Sequence, residues 1–218
     1  MIFSYESKFS QLLIKLCYSC YLNLLWFVCS LPVFTIGAST TALYYVSLKI
    51  VREEETSLTR MFFKAFRENF RQSTILWLIL LAVGLLLVGD GYILYHLRAT
   101  STGALAIMWT LLLALIIVAA IAYVIVLIYV FPLVASVTNT NREMLKNSFF
   151  IGTHYLFCSI LVFAIHFAMF FVVVSVFTPM IIFGEGLCAL LSAWLLSNVI
   201  RACSYDPNEI EETVGGEA

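Results

Sequence analysis

The chain has 218 residues, of which 62% are hydrophobic and 11% charged, with 12 Lys and Arg against 13 Asp and Glu. A soluble globular protein carries about 45–50% apolar and about 25% charged residues, so this chain lacks the polar surface to coat a water-soluble globule. A net charge of −1 provides no bulk field for nucleic acid, and continuous apolar runs exclude the ten-residue alternation of a membrane barrel.

The expected fold is an all-α polytopic bundle of six spans forming one transmembrane domain over 1–203. The first span covers 16–31. Lys8 and Lys15 precede it as in a signal peptide, but the run continues into Leu31-Pro32-Val33-Phe34 without a small-x-small cleavage site, so it is an uncleaved helix. Pro32 and Gly37 mark a turn, and a shorter second span covers 38–51. A basic amphipathic helix follows at 57–72. Its Leu58, Met61, Phe62, Ala65, Phe66, Asn69 and Phe70 share one face, while Arg60, Lys64, Arg67 and Arg71 share the other. The expectation is an interfacial helix on the cytoplasmic leaflet, its cations a candidate docking face for a partner.

The third span covers 74–95, the fourth 106–137, the fifth 151–178 and the sixth 187–203. Residues 204–218 form an acidic, Gly-containing tail expected to be disordered and cytoplasmic. Six spans with the N-terminus inside place Lys8, Lys15, Lys49, Arg52, Arg60, Lys64, Arg67, Arg71, Arg142, Lys146 and Arg201 on the cytoplasmic side and Arg98 alone outside. A five-span alternative makes 38–51 re-entrant or interfacial. The two outer turns match at an offset of 147, pairing Pro32 with Pro179, Gly37 with Gly184, Ala42 with Ala189 and Leu43 with Leu190. The pattern suits two similar helical hairpins, or a transporter repeat.

Polar groups within apolar runs are the next candidates. Asp90 lies in the outer third of the third span, His166 near the middle of the fifth and Glu185 on the second outer turn. Together they would form a proton relay, with His96 and Arg98 available to pair with the acids. Catalytic and metal motifs are missing: there is no H-E-x-x-H, Gly-x-Ser-x-Gly or P-loop, and His154 and His166 stand twelve residues apart on one expected helix. The six cysteines, Cys17, Cys20, Cys29, Cys158, Cys188 and Cys203, are expected to be small buried hydrophobes. Small residues such as Ser39, Thr40, Ala42, Ala189, Ser192 and Ser197 suit close helix packing. No catalytic residue, cofactor or metal is expected.

The stretch Asn23 to Ala38 (NLLWFVCSLPVFTIGA), running on through Thr41-Ala42-Leu43-Tyr44-Tyr45, resembles the opening of the YesL family, as does Phe62 to Ser73 (FFKAFRENFRQS). That family consists of bacterial membrane proteins without an established biochemical activity, often encoded beside carbohydrate ABC-importer components and two-component sensors. The resemblance implies a non-enzymatic accessory subunit in the cell membrane, partnered by a carbohydrate ABC permease. The alternatives are a small autonomous transporter and a regulatory partner of a sensor kinase.

Overall fold

A computed structural model describes residues 8–54, 57–175 and 181–203; the expected tail at 204–218 and the turn residues Thr178 and Pro179 lie outside them. The described elements are α1 (Lys8–Cys29), a single 3-10 turn (Val33–Thr35), α2 (Ile36–Val51), α3 (Leu58–Thr100), α4 (Ala104–Val134), α5 (Asn141–His154), α6 (Leu156–Ser175) and α7 (Ile181–Cys203). The fold is all-α, with no strand among the described residues. Three helices, α3, α4 and α6, are long and apolar enough to cross a membrane.

Pro32, in an extended conformation, ends α1. The Thr35 hydroxyl then donates to the carbonyls of Cys29 and Pro32, both at 2.6 Å, which satisfies acceptors left over at the α1 terminus. The chain reverses into α2, the centre of the molecule. Twelve of its sixteen residues are buried, because α1, α3, α4 and α7 all pack on it. At its far end Glu53 takes a left-handed φ of 58°. The amides of Glu53 and Glu54 bond back to Ile50 and Lys49, closing the helix in a Schellman motif.

The basic segment is not a separate helix. It forms the first four turns of α3, a continuous helix of 43 residues, about 65 Å long against a hydrocarbon core of about 30 Å. No Pro or Gly interrupts residues 58–83, so nothing turns the helix onto the leaflet, and its apolar stripe packs on the protein itself. Phe62 and Ala65 are buried in the core. Phe66 and Phe70 lie half-buried, continuing a ring ladder with centroids 6.4 Å and 5.4 Å apart.

The contacts fix the level of each element along α3. Tyr21 bonds Thr59 at 2.6 Å, Thr41 bonds Ser73 at 2.8 Å, and the Trp77 indole donates to the Val33 carbonyl at 2.8 Å. The α1–α2 hairpin therefore stands beside residues 59–77, with its tip at Trp77. The apolar stretch of α3 continues beyond that tip, paired with α4 in an arm whose outer surfaces are Leu85, Leu86, Val88, Tyr92, Leu111 and Leu115, all exposed. Buried residues in α3 end at Leu80, and those of α4 begin at Tyr129. The second and third expected spans thus lie in series rather than side by side. A bilayer perpendicular to α3 that holds 74–95 reaches only the hairpin tip, and one that holds α2 also holds Arg60, Lys64, Arg67 and Arg71. The apolarity of α2 suits a core helix enclosed by protein, which hydropathy does not distinguish from a span.

The later boundaries also differ from expectation. α4 ends at Val134, just after Pro132. The expected fifth span divides at Tyr155, so His154 belongs to α5 and His166 to α6. Ser159 holds that bend by donating to the Gly152 carbonyl at 2.8 Å and bonding the Tyr129 hydroxyl at 3.0 Å. α7 begins six residues before 187 and takes Glu185 into its second turn. Cys188 is buried; Cys17, on the outward face of α1, is exposed, and Cys20, Cys29 and Cys158 are intermediate.

Candidate functional site

Two features carry the polar residues singled out above. The first is the basic face of α3. Arg60, Lys64, Arg67 and Arg71 recur at three- and four-residue steps and are all exposed, as the helical period requires when Phe62 and Ala65 point inward. Among the described residues no carboxylate forms an ion pair with any of them. The backbone beneath them is anchored from both ends. Ser73 and Thr59 bond α2 and α1, and Gln72 donates to the Asn139 carbonyl at 2.6 Å in the connection between α4 and α5. The four cations are therefore held on a rigid rod.

The second feature is a cleft of about 690 Å³ between α1, α6 and α7, at the level of the hairpin tip. Trp26, Phe27, Met169 and Phe170 form apolar walls, and His166 and Glu185 sit among them. His166 Nδ1 lies 2.9 Å from the Val162 carbonyl. A carbonyl only accepts, so Nδ1 carries the hydrogen and Nε2 is left as the nitrogen facing the cleft. Nε2 points to Glu185 Oε1 at 3.9 Å, an ion-pair distance too long for a direct hydrogen bond.

Residues that the sequence did not single out hold Glu185 in place. Gly186 lets α1 and α7 touch: a Cβ there would lie 2.3 Å from the Ser19 carbonyl oxygen. At the same point the Gly186 amide donates to Asn23 Oδ1 at 2.8 Å in a buried contact. Trp26, which lines the cleft, is pinned by a 3.0 Å bond from its indole to Thr40. An Asn within an apolar run and a glycine on each side of Glu185 were the available signals, and neither discloses its partner in another helix.

The expected three-membered relay does not assemble. His166 and Glu185 meet, whereas Asp90 stands exposed on the α3–α4 arm. Its expected partners are engaged elsewhere: Arg98 donates to Thr110 at 3.0 Å, and the His96 ring packs on Tyr92 with centroids 4.4 Å apart. Among the described residues no group of three or more His, Cys, Asp or Glu is placed to hold a metal ion.

No curated protein and no solved structure matches the chain. Over residues 20–90 the chain is similar to the family described as "Protein of unknown function, DUF624", a stretch that takes in α2, the basic face and Asp90 but neither His166 nor Glu185.

Proposed function

We propose that this chain is a non-enzymatic accessory subunit of a bacterial membrane transport complex, docking through the basic face of α3 onto an acidic cytoplasmic surface of its partner. The observation that carries this reading is the mounting of Arg60, Lys64, Arg67 and Arg71 on the outside of a rod whose inner face is buried. A lipid anchor inserts its own phenylalanines into the leaflet, but here the phenylalanine stripe is used in folding, leaving the cations for recognition. The resemblance to the YesL family makes a carbohydrate ABC permease the partner of choice. The arm of α3 and α4 lies in the bilayer, and both termini and the basic face are cytoplasmic, in accord with the placement of eleven of the twelve Lys and Arg.

The test is Lys64→Glu with Arg67→Glu. The double variant should keep its thermal stability in detergent and lose the permease in a pull-down from native membranes. Full recovery of the permease removes the docking role, and recovery of a sensor kinase in its place reassigns the partner.

A second reading, an autonomous transporter, is favoured by the His166–Glu185 cleft. It requires solute uptake by the purified chain in liposomes and loss of that uptake in Glu185→Gln. An accessory subunit transports nothing alone.

A further inference from the structure

The arm carries one position that folding leaves unexplained. Gly84 faces α4, where a Cβ would lie 2.7 Å from the Tyr123 hydroxyl. Gly91 faces the same neighbour, with Ile116 at 3.8 Å. Gly89 faces nothing, because an added Cβ would meet no atom within 4 Å. Its surroundings, Leu85, Leu86, Val88 and Ile93, are apolar and exposed, Val88 at 72%. In a helix surrounded only by lipid, glycine brings no benefit and lowers helix stability. Where a second helix packs, it lets two backbones approach closely.

Asp90 adjoins this bare patch, exposed and, among the described residues, with no hydrogen bond or ion pair. A carboxylate within a membrane span is costly and faces a partner or water. The rest of the chain provides no cation at its depth. No Lys or Arg occurs from residue 72 to 97 or from 104 to 134, and Arg98, about 12 Å further along the helix, is held by Thr110. A second copy inserted in the same orientation would bring Asp90 against Asp90, joining like charges.

We propose that the face of α3 around Gly89 and Asp90 is a docking surface within the bilayer for a transmembrane helix of a different protein, one that carries a Lys or Arg at the depth of Asp90. Gly89 provides the close approach and Asp90 the selectivity. The surface is independent of the cytoplasmic basic face, which every variant below leaves intact, so failure here leaves the docking role of that face standing.

The test places the full-length chain, with a donor fluorophore, in phosphatidylcholine vesicles containing acceptor-labelled leucine–alanine helices of about 20 residues. One probe helix has a single lysine at the depth of Asp90, a second has none and a third has glutamate. Energy transfer should show the lysine helix associating on the order of tenfold more tightly than the uncharged one. The preference should vanish in Asp90→Leu, and Gly89→Leu should weaken both helices. Neither variant should lower the melting temperature in detergent, since a Cβ at Gly89 meets no atom within 4 Å and Asp90 is exposed. Equal association of the lysine and uncharged helices, or a preference that survives Asp90→Leu, overturns the proposal in favour of a carboxylate that reaches interfacial water. Asp90-dependent transfer between two copies of the chain overturns it in favour of self-association, and a lowered melting temperature of Asp90→Leu overturns it in favour of an internal role.

Discussion

Gly37 sits so close to Ser73 that a Cβ on the glycine would lie 2.5 Å from the Ser73 carbonyl oxygen and 2.6 Å from Trp77 Cβ. One turn on, the Thr41 hydroxyl shares a 2.8 Å hydrogen bond with that of Ser73. The obstructing atoms are backbone or at the root of a side chain, so they move only if α2 and α3 separate. Gly37→Ala should therefore destabilise by about 1–3 kcal/mol, outweighing the gain of about 1 kcal/mol from replacing a helical glycine. Gly89→Ala, in open space, should be neutral or slightly stabilising. Thermal unfolding of both in one detergent makes the comparison, and equal melting temperatures would contradict the close α2–α3 contact.

The same contact decides where the first turn lies. Six side-by-side spans put residues 32–37 outside the cell. The bond from Trp77 to Val33 puts them where the apolar part of α3 begins, which is the cytoplasmic side of the arm under the proposed topology. In a background without the native cysteines, Phe34→Cys should resist an impermeant thiol reagent added to intact cells, and Ser101→Cys, at the tip of the arm, should react. Labelling at 34 would require α2 to cross the bilayer and would reject the serial arrangement.

Glu53 occupies the left-handed position that ends α2, with φ at 58°. A side chain there costs about 1–3 kcal/mol relative to glycine. Its pairing with Lys15 at 3.4 Å joins two solvent-accessible groups, and such a pair is worth about 0–1 kcal/mol. The backbone effect is the larger, so Glu53→Gly should raise stability by about 1 kcal/mol. A fall in melting temperature would show that Lys15 and Glu53 tie α1 to α2 more firmly than their exposure suggests.

Sequence patterning identified the helical class and the two faces of 58–72 because both rest on local periodicity. Phe62 and Arg60 differ in chemistry, and their spacing assigns them to opposite sides whatever surrounds the helix. Patterning left the depth of α2 open, since Leu43, Val46 and Ile50 have the same hydropathy inside protein as inside lipid. It joined α5 to α6 because nothing in the apolar run from Phe149 announces a bend at Tyr155, whose stabilising bonds come from Ser159 and Tyr129. It grouped His166 and Glu185 with Asp90 in one expected relay by the cost of placing charge in apolar runs, and only the first two meet. Their meeting depends on Gly186 fitting against Ser19, a contact between helices more than 160 residues apart.

The start of α5 is sensitive to pH. Thr140 and Glu143 form a capping box, in which the Thr140 amide and hydroxyl donate to Glu143 Oε2 at 3.1 Å and 2.9 Å while the Glu143 amide donates to Thr140 Oγ1 at 3.4 Å. Donation from the Thr140 backbone first, then from its hydroxyl, and the nearby Lys146 favour the carboxylate and hold Glu143 below its ordinary value of 4.5. With the folded value below the unfolded one, the contribution of this cap is complete above the ordinary value and is lost as pH falls through the lowered one. Amide protection factors at Glu143 and Met144, corrected for intrinsic exchange, should hold from neutrality down through the ordinary carboxyl value and fall only as pH drops below it. Glu143→Gln keeps an acceptor at the same place without a titrating group, so its protection should be flat over that range. An equal fall in Glu143→Gln would trace the loss to a different carboxylate and remove Glu143 as the titrating cap.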